Sequence, residues 1–539
     1  MHIWKIVLFT LPIILNAQTP KNLVPNPHLQ GAEGWNLNAH AAYDPHISVT
    51  PGSGSIRLEK VGKHWSLTDF ARSKFKIPVT PGKTYTLSFK TKTDIFPSPI
   101  LQVSGAYYDD KKWLYNAGGS KYVNAKTGDW EETAIYLKVP KDSRIKKFAI
   151  KILLMPKYSK DGPIWIDDLF FAEGLHFSNP AVKKPFEGTK TRVDALGNME
   201  IRKNGKWQPF FPIAVYADGN RKDWSIYKKQ GFNMNMWASK AASIQKAKDA
   251  GLYSGLQIVQ YMVPVNPKWI PQQPEKKIRH LIHTFREIKE KGLMADLLFY
   301  YIDNEFYTLN DDIRTITRLV KKLDRDQNGK RMHPLYMLNG DYGVARQYNN
   351  ISDITGTYVA LDRSPTPTID ALTVLQNMEH QTQPVVIAQI NRGIGLNFRP
   401  ILYGAVAKGA KGMGFWRDGG RGVGPIEKQP WWPDLPNIAR EIKQMMPLIR
   451  ADHHTKWQAK CDDDDLIFGT RTVKGIAYMI LANPTEKKLT AKITFSDLDY
   501  LPKTVRDYFT KVQVTKILDH DFVITLPPHG TKVISLAHE

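Results

Sequence analysis

The 539-residue chain is too long for one ordinary domain and long enough for two to four. With 42% hydrophobic and 11% aromatic residues it can fill sizeable cores, which excludes global disorder. The net charge of +23 is spread over the whole length, with no basic helix, zinc knuckle or arginine-rich tail; it argues against nucleic acid and fits either an anionic polysaccharide partner or a basic periplasmic protein.

The first predicted element is a leader. Lys5 supplies a positive charge, Ile6 to Leu15 form an apolar run, and Ala17 offers a small residue for cleavage. Residues 1–17 therefore read as a secretory signal peptide, since the run is too short to span a bilayer. No later segment reads as a transmembrane helix, so the expected product is secreted or periplasmic, without membrane insertion. Export permits disulfides, but Cys461 is alone and has no internal partner. Asp462 to Asp465 beside it read as a solvated acidic turn.

Residues 20–175 show short alternating strands, such as Ser55 to Lys60 and Thr84 to Lys90, separated by Pro51-Gly52 and Pro81-Gly82. With no helical period between them, they predict a β-sandwich. Asn22-Leu23-Val24-Pro25-Asn26-Pro27 with Gly34-Trp35 resembles the opening strand of jelly-roll carbohydrate-binding modules, and Ile164 to Leu169 resembles their closing strand. The resemblance implies glycan contact through exposed aromatics, for which Trp65, Tyr107, Tyr108 and Trp113 are available.

A β-hairpin is expected over Thr191 to Trp207, turned by Asn204-Gly205. From Pro209 apolar strand-like runs alternate with amphipathic helices. The strands are expected at Phe211–Tyr216, Asn233–Trp237, Gly255–Tyr261, Leu297–Ile302, Pro334–Leu338, Ile354–Tyr358, Pro384–Gln389 and Gly412–Trp416. Helical faces include Ile278, Leu281, Ile282, Phe285 and Ile288, then Ile313, Ile316, Leu319, Val320 and Leu323. Eight such units over residues 190–450 predict a (β/α)8 TIM barrel. An open doubly wound sheet is the alternative, but no glycine-rich phosphate loop follows the first strand. After a helix over Ile438 to Met446 the period returns to two, with strands expected at Lys474–Asn483, Leu489–Phe495, Lys511–Leu518 and Lys532–Leu536. The expected fold is thus multidomain: an N-terminal β-sandwich, a central barrel, and a small C-terminal β-sandwich over residues 455–539.

Active sites of such barrels lie at the carboxyl ends of the strands. There the sequence offers Tyr216, Trp237, Tyr261, then Asp303, Asn304 and Glu305, then Asp341, Tyr358, Gln389, Trp416 and Arg417. Rings that stack on C–H faces, mixed with amides and carboxylates that bind hydroxyls, suit a sugar. Phe299 to Ile302 is an apolar run that ends abruptly in Asp303-Asn304-Glu305. Burial near aromatics raises a carboxyl pKa, as a general acid requires. The structural alternative is that Asp303 and Glu305 cap the next helix or pair with Arg314.

Asn-Glu at the end of strand four resembles the acid/base signature of the retaining (β/α)8 glycoside hydrolase superfamily. That resemblance implies Glu305 as proton donor and Asn304 at the hydroxyl beside the reacting carbon. The Asp-x-Glu spacing is also similar to chitinase-type hydrolases, whose substrate supplies the nucleophile. One departure is plain: strand seven ends in Gln389, and glutamine cannot form a glycosyl intermediate. The second carboxylate then comes from elsewhere, with Asp341 foremost and Asp362 and Asp418 as further candidates. Arg399 to Trp416 resembles the segment leading into strand eight of such barrels, with Trp416 as the sugar floor. Arg417, with Arg392 and Arg421, could meet sulfate or carboxylate. Trp431-Trp432 between prolines reads as a cleft wall or as a plug against the C-terminal unit. No metal or cofactor motif is present, and His453-His454 would diverge in regular structure. A polysaccharide lyase on the same scaffold and a non-catalytic glycan-binding barrel are the competing readings.

Overall fold

The structure, a computed structural model, describes residues 21–537 apart from 39, 61–69, 95–99, 117–120, 125–127, 156–161, 175, 177–184, 218, 259–273, 305–309, 340–351, 359–382, 390–397, 417 and 419–424. The expected leader lies outside the described residues. Among the described residues no helix is long and apolar enough to cross a membrane.

Two antiparallel sheets, of seven and five strands, form the N-terminal unit. Alternating residues of both, including Leu87, Phe89, Val103, Phe148, Ile150 and Ile166, bury one shared core, so the expected sandwich is observed. The opening segment differs from expectation, because Asn22 to Asn26 is not a strand. The Asn22 side chain ties it down instead: Nδ2 donates to Leu169 O at 2.9 Å, and Oδ1 accepts from Phe171 N at 3.0 Å. The closing strand runs longer than expected, Gly162–Glu173, with a bulge between Asp167 and Phe170. Tyr107, expected among the exposed aromatics, is a core residue at 3% exposure, whereas Trp113 is 56% exposed.

The hairpin expected from Thr191 belongs to a four-stranded sheet that also includes Phe186–Glu187 and Lys206–Phe210. Asn204 and Gly205 turn it with φ of 49° and 76°, the paired left-handed conformation that asparagine-glycine favours. Phe186, Val193, Met199 and Ile201 of this sheet share a core with Ala214, Met234, Phe299 and Tyr336 inside the barrel.

The barrel itself is closed and parallel. Its strands are β1 (Ile213–Val215), β2 (Met234–Ala238), β3 (Tyr253–Gln257), β4 (Leu297–Asn304), β5 (Leu335–Asn339), β6 (Ile354–Tyr358), β7 (Gln383–Gln389) and β8 (Met413–Trp416). Pairing of β1 with β8 closes the ring, which rules out the open sheet. Described helices between and after these strands are α1 (Ser225–Lys229), α2 (Ala241–Asp249), α3 (Pro274–Glu290), α4 (Asn310–Leu323), α5 (Phe398–Ala407) and α6 (Leu435–Arg450). Along β4 the period of two is unusually clear. Tyr300 and Ile302 pack under Leu281, Phe285 and Ile288 of α3 and Ile316 and Val320 of α4, while Phe299 and Tyr301 face the lumen. On β3, a Cβ at Gly255 would stand 2.8 Å from the Phe299 ring, so glycine there makes room for a large lumenal side chain.

Three- and five-stranded sheets over 458–537 share a C-terminal core. The strand expected over Lys474–Asn483 begins at Ile476, because Lys474 and Gly475 form a left-handed turn that closes a hairpin with Ile467–Val473. Trp431 and Trp432 are 4% and 7% exposed, so they do not wall a cleft; they pack on Phe398, Phe415 and Phe232, in a core cluster that also takes in Ile467, Ile480 and Val533 of the C-terminal unit. His453 and His454 also differ from expectation: in their irregular segment the rings approach to 4.1 Å.

Candidate active site

The carboxyl ends of the barrel strands converge on one rim, and the sequence decides what stands there. β4 carries Asp303 and Asn304 as its last two residues, in register with Leu338 and Asn339 of β5. β6 ends at Tyr358, β7 at Gln389 and β8 at Trp416, with Gln389 paired to Trp416. Tyr216 directly follows β1, and its N–H donates to Phe415 O at 3.0 Å. Five of the expected site positions, Asn304, Tyr216, Tyr358, Gln389 and Trp416, therefore share the rim with Asp303. Glu305, Asp341, Tyr261 and Arg417 lie outside the described residues.

Below the rim the lumen is aromatic. The Tyr216 and Tyr301 hydroxyls are hydrogen-bonded at 2.8 Å. The Trp237 ring lies 5.5 Å from that of Tyr216 and 5.9 Å from that of Tyr301, and Tyr301 stacks on Tyr336 at 5.2 Å. Tyr216 is 3% exposed and Tyr301 and Tyr336 are fully buried, whereas Trp237 is half-buried. Trp237 would not face this group in a regular strand, since Met234 and Met236 already take the lumenal parity. A register irregularity between Asn235 and Ala238 resolves the conflict by turning the ring inward. Asn235 supports that bulge: its Oδ1 accepts from Trp237 N at 3.2 Å and Ala217 N at 3.4 Å. Sequence reasoning missed Asn235, Tyr301 and Tyr336. For Tyr301 and Tyr336 the alternation along β4 and β5 was the available signal; for Asn235 there was none.

Asp418, a candidate second carboxylate, is engaged elsewhere. It is 2% exposed and accepts from Arg221 Nε at 2.5 Å, Arg221 Nη2 at 3.2 Å, the Tyr227 hydroxyl at 2.5 Å and Ile426 N at 3.0 Å. Four donors saturate a carboxylate, so it has no lone pair directed at a substrate. Burial disfavours the charged Arg221, but its bonds to Asp418 and Glu427 outweigh that and raise its pKa. The ion pair fastens the loop after β1 to the loop after β8, at the edge of the rim.

A second buried cluster lies outside the barrel wall. Asp324 accepts from the Tyr300 hydroxyl at 2.8 Å and from Met332 N and His333 N, and its Oδ1 lies 2.9 Å from His333 Nδ1. Burial, then the Asp324 charge, drives the Tyr300 pKa well up. This cluster ties β4 to the loop before β5 and points away from the lumen. Among the described residues no group of three or more His, Cys, Asp or Glu is placed to hold a metal ion.

No family model and no curated protein matches the chain. Solved structures do resemble it at low identity. An α-amylase from Geobacillus thermoleovorans, in complex with acarbose, is 12% identical, with a TM-score of 0.42 over 57% of this chain and 89% of that one. An Anoxybacillus α-amylase is 12% identical, with a TM-score of 0.41 over 58% and 88% of the two chains. A β-L-arabinopyranosidase from Geobacillus stearothermophilus is 12% identical, with a TM-score of 0.38 over 55% and 76%.

Proposed function

We propose that the chain is an exported glycoside hydrolase that cleaves a polysaccharide or oligosaccharide at the barrel rim. One observation carries this reading: a buried barrel strand, β4, runs straight into Asp303-Asn304 at its carboxyl end, above the aromatic lumen of Tyr216, Trp237, Tyr301 and Tyr336. Asp303 shares the register parity of Phe299 and Tyr301. Glu305 is the general acid that protonates the glycosidic oxygen, and Asn304 binds a neighbouring hydroxyl. Asp303 or Asp341 supplies the second carboxylate, as base toward water or as support for a substrate nucleophile. Gln389 orients that water or a sugar hydroxyl, since an amide cannot carry a covalent glycosyl intermediate. Trp237, Tyr261, Tyr358, Trp416 and Arg417 line the sugar path, Arg417 meeting any anionic group. In this reading residues 20–175 are a jelly-roll carbohydrate-binding module, residues 190–450 the catalytic barrel and residues 455–539 a supporting sandwich.

Incubation with a panel of neutral and anionic polysaccharides tests the reaction class. A hydrolase releases new reducing ends; a lyase leaves an unsaturated product that absorbs near the ultraviolet edge. Glu305→Gln should lower turnover by roughly a hundredfold or more while leaving binding intact. Full activity in that variant would overturn the site assignment. Gln389 at the end of β7 favours one alternative, a barrel that binds glycan without cleaving it, and absence of turnover with retained binding in the parent chain would support that instead.

A further inference from the structure

The bulge in β2 decides which way its last side chains face. Met234 and Asn235 pair with Tyr253 and Ser254 of β3, and the next pairing is Ala238 with Leu256, so three steps on β2 match two on β3. The extra residue reverses the alternation. Met234 and Met236 pack in the lumen and so does Trp237, while Ala238 turns outward to Leu256, Ala241 and Ile244. Asn235 holds that step in place. It is fully buried, and its Oδ1 accepts from Trp237 N, two residues on, closing a small ring onto its own strand. The same oxygen accepts from Ala217 N, just past the point where β1 and β2 cease to pair at Val215 and Asn235. Ala217 follows Tyr216, whose backbone is tied on its other side to Phe415 O and Asp418 N. One side-chain oxygen therefore links the backbones that carry Tyr216 and Trp237. Nδ2 has no hydrogen-bond partner among the described residues, so the oxygen carries the role.

We propose that Asn235 is a positioning residue for substrate, whose Oδ1 keeps the Trp237 ring turned into the rim. Of the four lumenal rings, Tyr216, Tyr301 and Tyr336 are buried and Trp237 is half-buried. Trp237 is therefore the ring that meets a ligand, and the tyrosines beneath it are its pedestal. Loss of the acceptor lets the bulge relax and the ring leave the lumen. That removes binding surface without touching a group that transfers a proton, so the effect falls on KM rather than on kcat. Asn235→Asp keeps an acceptor oxygen in the same place, whereas Asn235→Leu keeps the volume and supplies none. The kinetic consequence rests on the hydrolase reading of the rim; the placement of Trp237 does not.

The test is fluorine NMR of the full chain labelled with fluorotryptophan, the Trp237 resonance being identified by its loss in Trp237→Phe. In Asn235→Leu and Asn235→Ala that resonance should move by more than its linewidth and broaden further with a soluble gadolinium chelate, while the other tryptophan resonances stay in place. Asn235→Asp should restore the parent position. A Trp237 resonance unmoved in both acceptor-free variants, or displaced equally in Asn235→Asp, would overturn the proposal. So would a general loss of the tryptophan spectrum in both, which would make Asn235 a prop of the whole fold. Soluble starch, a β-glucan, a sulfated galactan and a polyuronate are then offered as substrates. On any that the parent cleaves, Asn235→Leu should raise KM at least about threefold with kcat changed less than about twofold, and should add no further rise to Trp237→Ala. A further rise of the same size in the double variant would refute action through Trp237. If the parent cleaves none, the hydrolase reading fails, while the resonance still decides where Asn235 holds the ring.

Discussion

Arg471 offers the sharpest test of how the C-terminal unit holds the barrel. Its side chain is fully buried, and its guanidinium bonds to backbone carbonyls rather than to a carboxylate. Nη2 donates to Val406 O in the last turn of α5 at 2.6 Å, Nε to Leu448 O in the last turn of α6 at 3.2 Å, and Nη1 to Thr470 O at 2.7 Å. One cation thus serves the negative ends of two helices. Arg471→Met keeps much of the volume and removes the charge. The two bonds to the helices are worth roughly 1.5–3 kcal/mol each, and their loss strands carbonyls at a further cost of roughly 1–3 kcal/mol. Against this, burial pushes the Arg471 pKa down to about 10, so relief of that burden returns about 3 kcal/mol. The net expectation is a loss of about 3 kcal/mol, read by urea unfolding with tryptophan fluorescence, since Trp431 and Trp432 share the adjoining core. The pH dependence has a definite sign. The folded-state value lies below the unfolded one, so the folded state gains relative stability only as pH rises through about 10. Between about pH 6 and about pH 9 both states are charged and the loss should be constant. A change below about 0.5 kcal/mol, or one that varies strongly across that range, would refute the reasoning.

Asp418→Asn should cost roughly 3–5 kcal/mol, because it leaves Arg221 partly buried without its main counter-ion; thermal unfolding of the variant checks this. Gly469→Ala should destabilise by roughly 1–3 kcal/mol or more, since its Cβ would stand 2.0 Å from Ala407 O at the end of α5; the same urea titration measures it. Cys461 should react with a thiol reagent near pH 8 at least about tenfold more slowly than free cysteine, because burial, then the neighbouring Asp462 and Asp463, raise its pKa. Its rate should climb as pH passes above the ordinary thiol range, and a fast reaction near pH 7 would contradict that environment.

The barrel was legible because each strand obeys one simple rule. A fully apolar run bounded by polar residues is what a strand buried on both faces must be, and β4 and β8 fall where that rule puts them. Boundaries slipped where a turn hides inside an apolar stretch: Lys474-Gly475 reads as part of a strand until its positive φ values show a hairpin. The opening segment was misread for a related reason. Asn22 imitates a strand neighbour with its side-chain amide, and hydropathy cannot register that substitution. In the site, the rim positions followed from strand ends alone, but the inward turn of Trp237 depends on a bulge held by Asn235, a residue with no local signature. Asp418 shows the limit most plainly. At the end of β8, sequence alone places it among the candidate carboxylates, and only its contacts with Arg221, Tyr227 and Ile426, each distant or displaced along the chain, reveal that its bonding capacity is spent on structure. Strand periodicity thus locates a rim. Which rim carboxylates can serve the proposed chemistry depends on partners that fold in from other loops, and those partners set Asp418 aside while Asp303, Asp341 and Asp362 stay candidates for the second group.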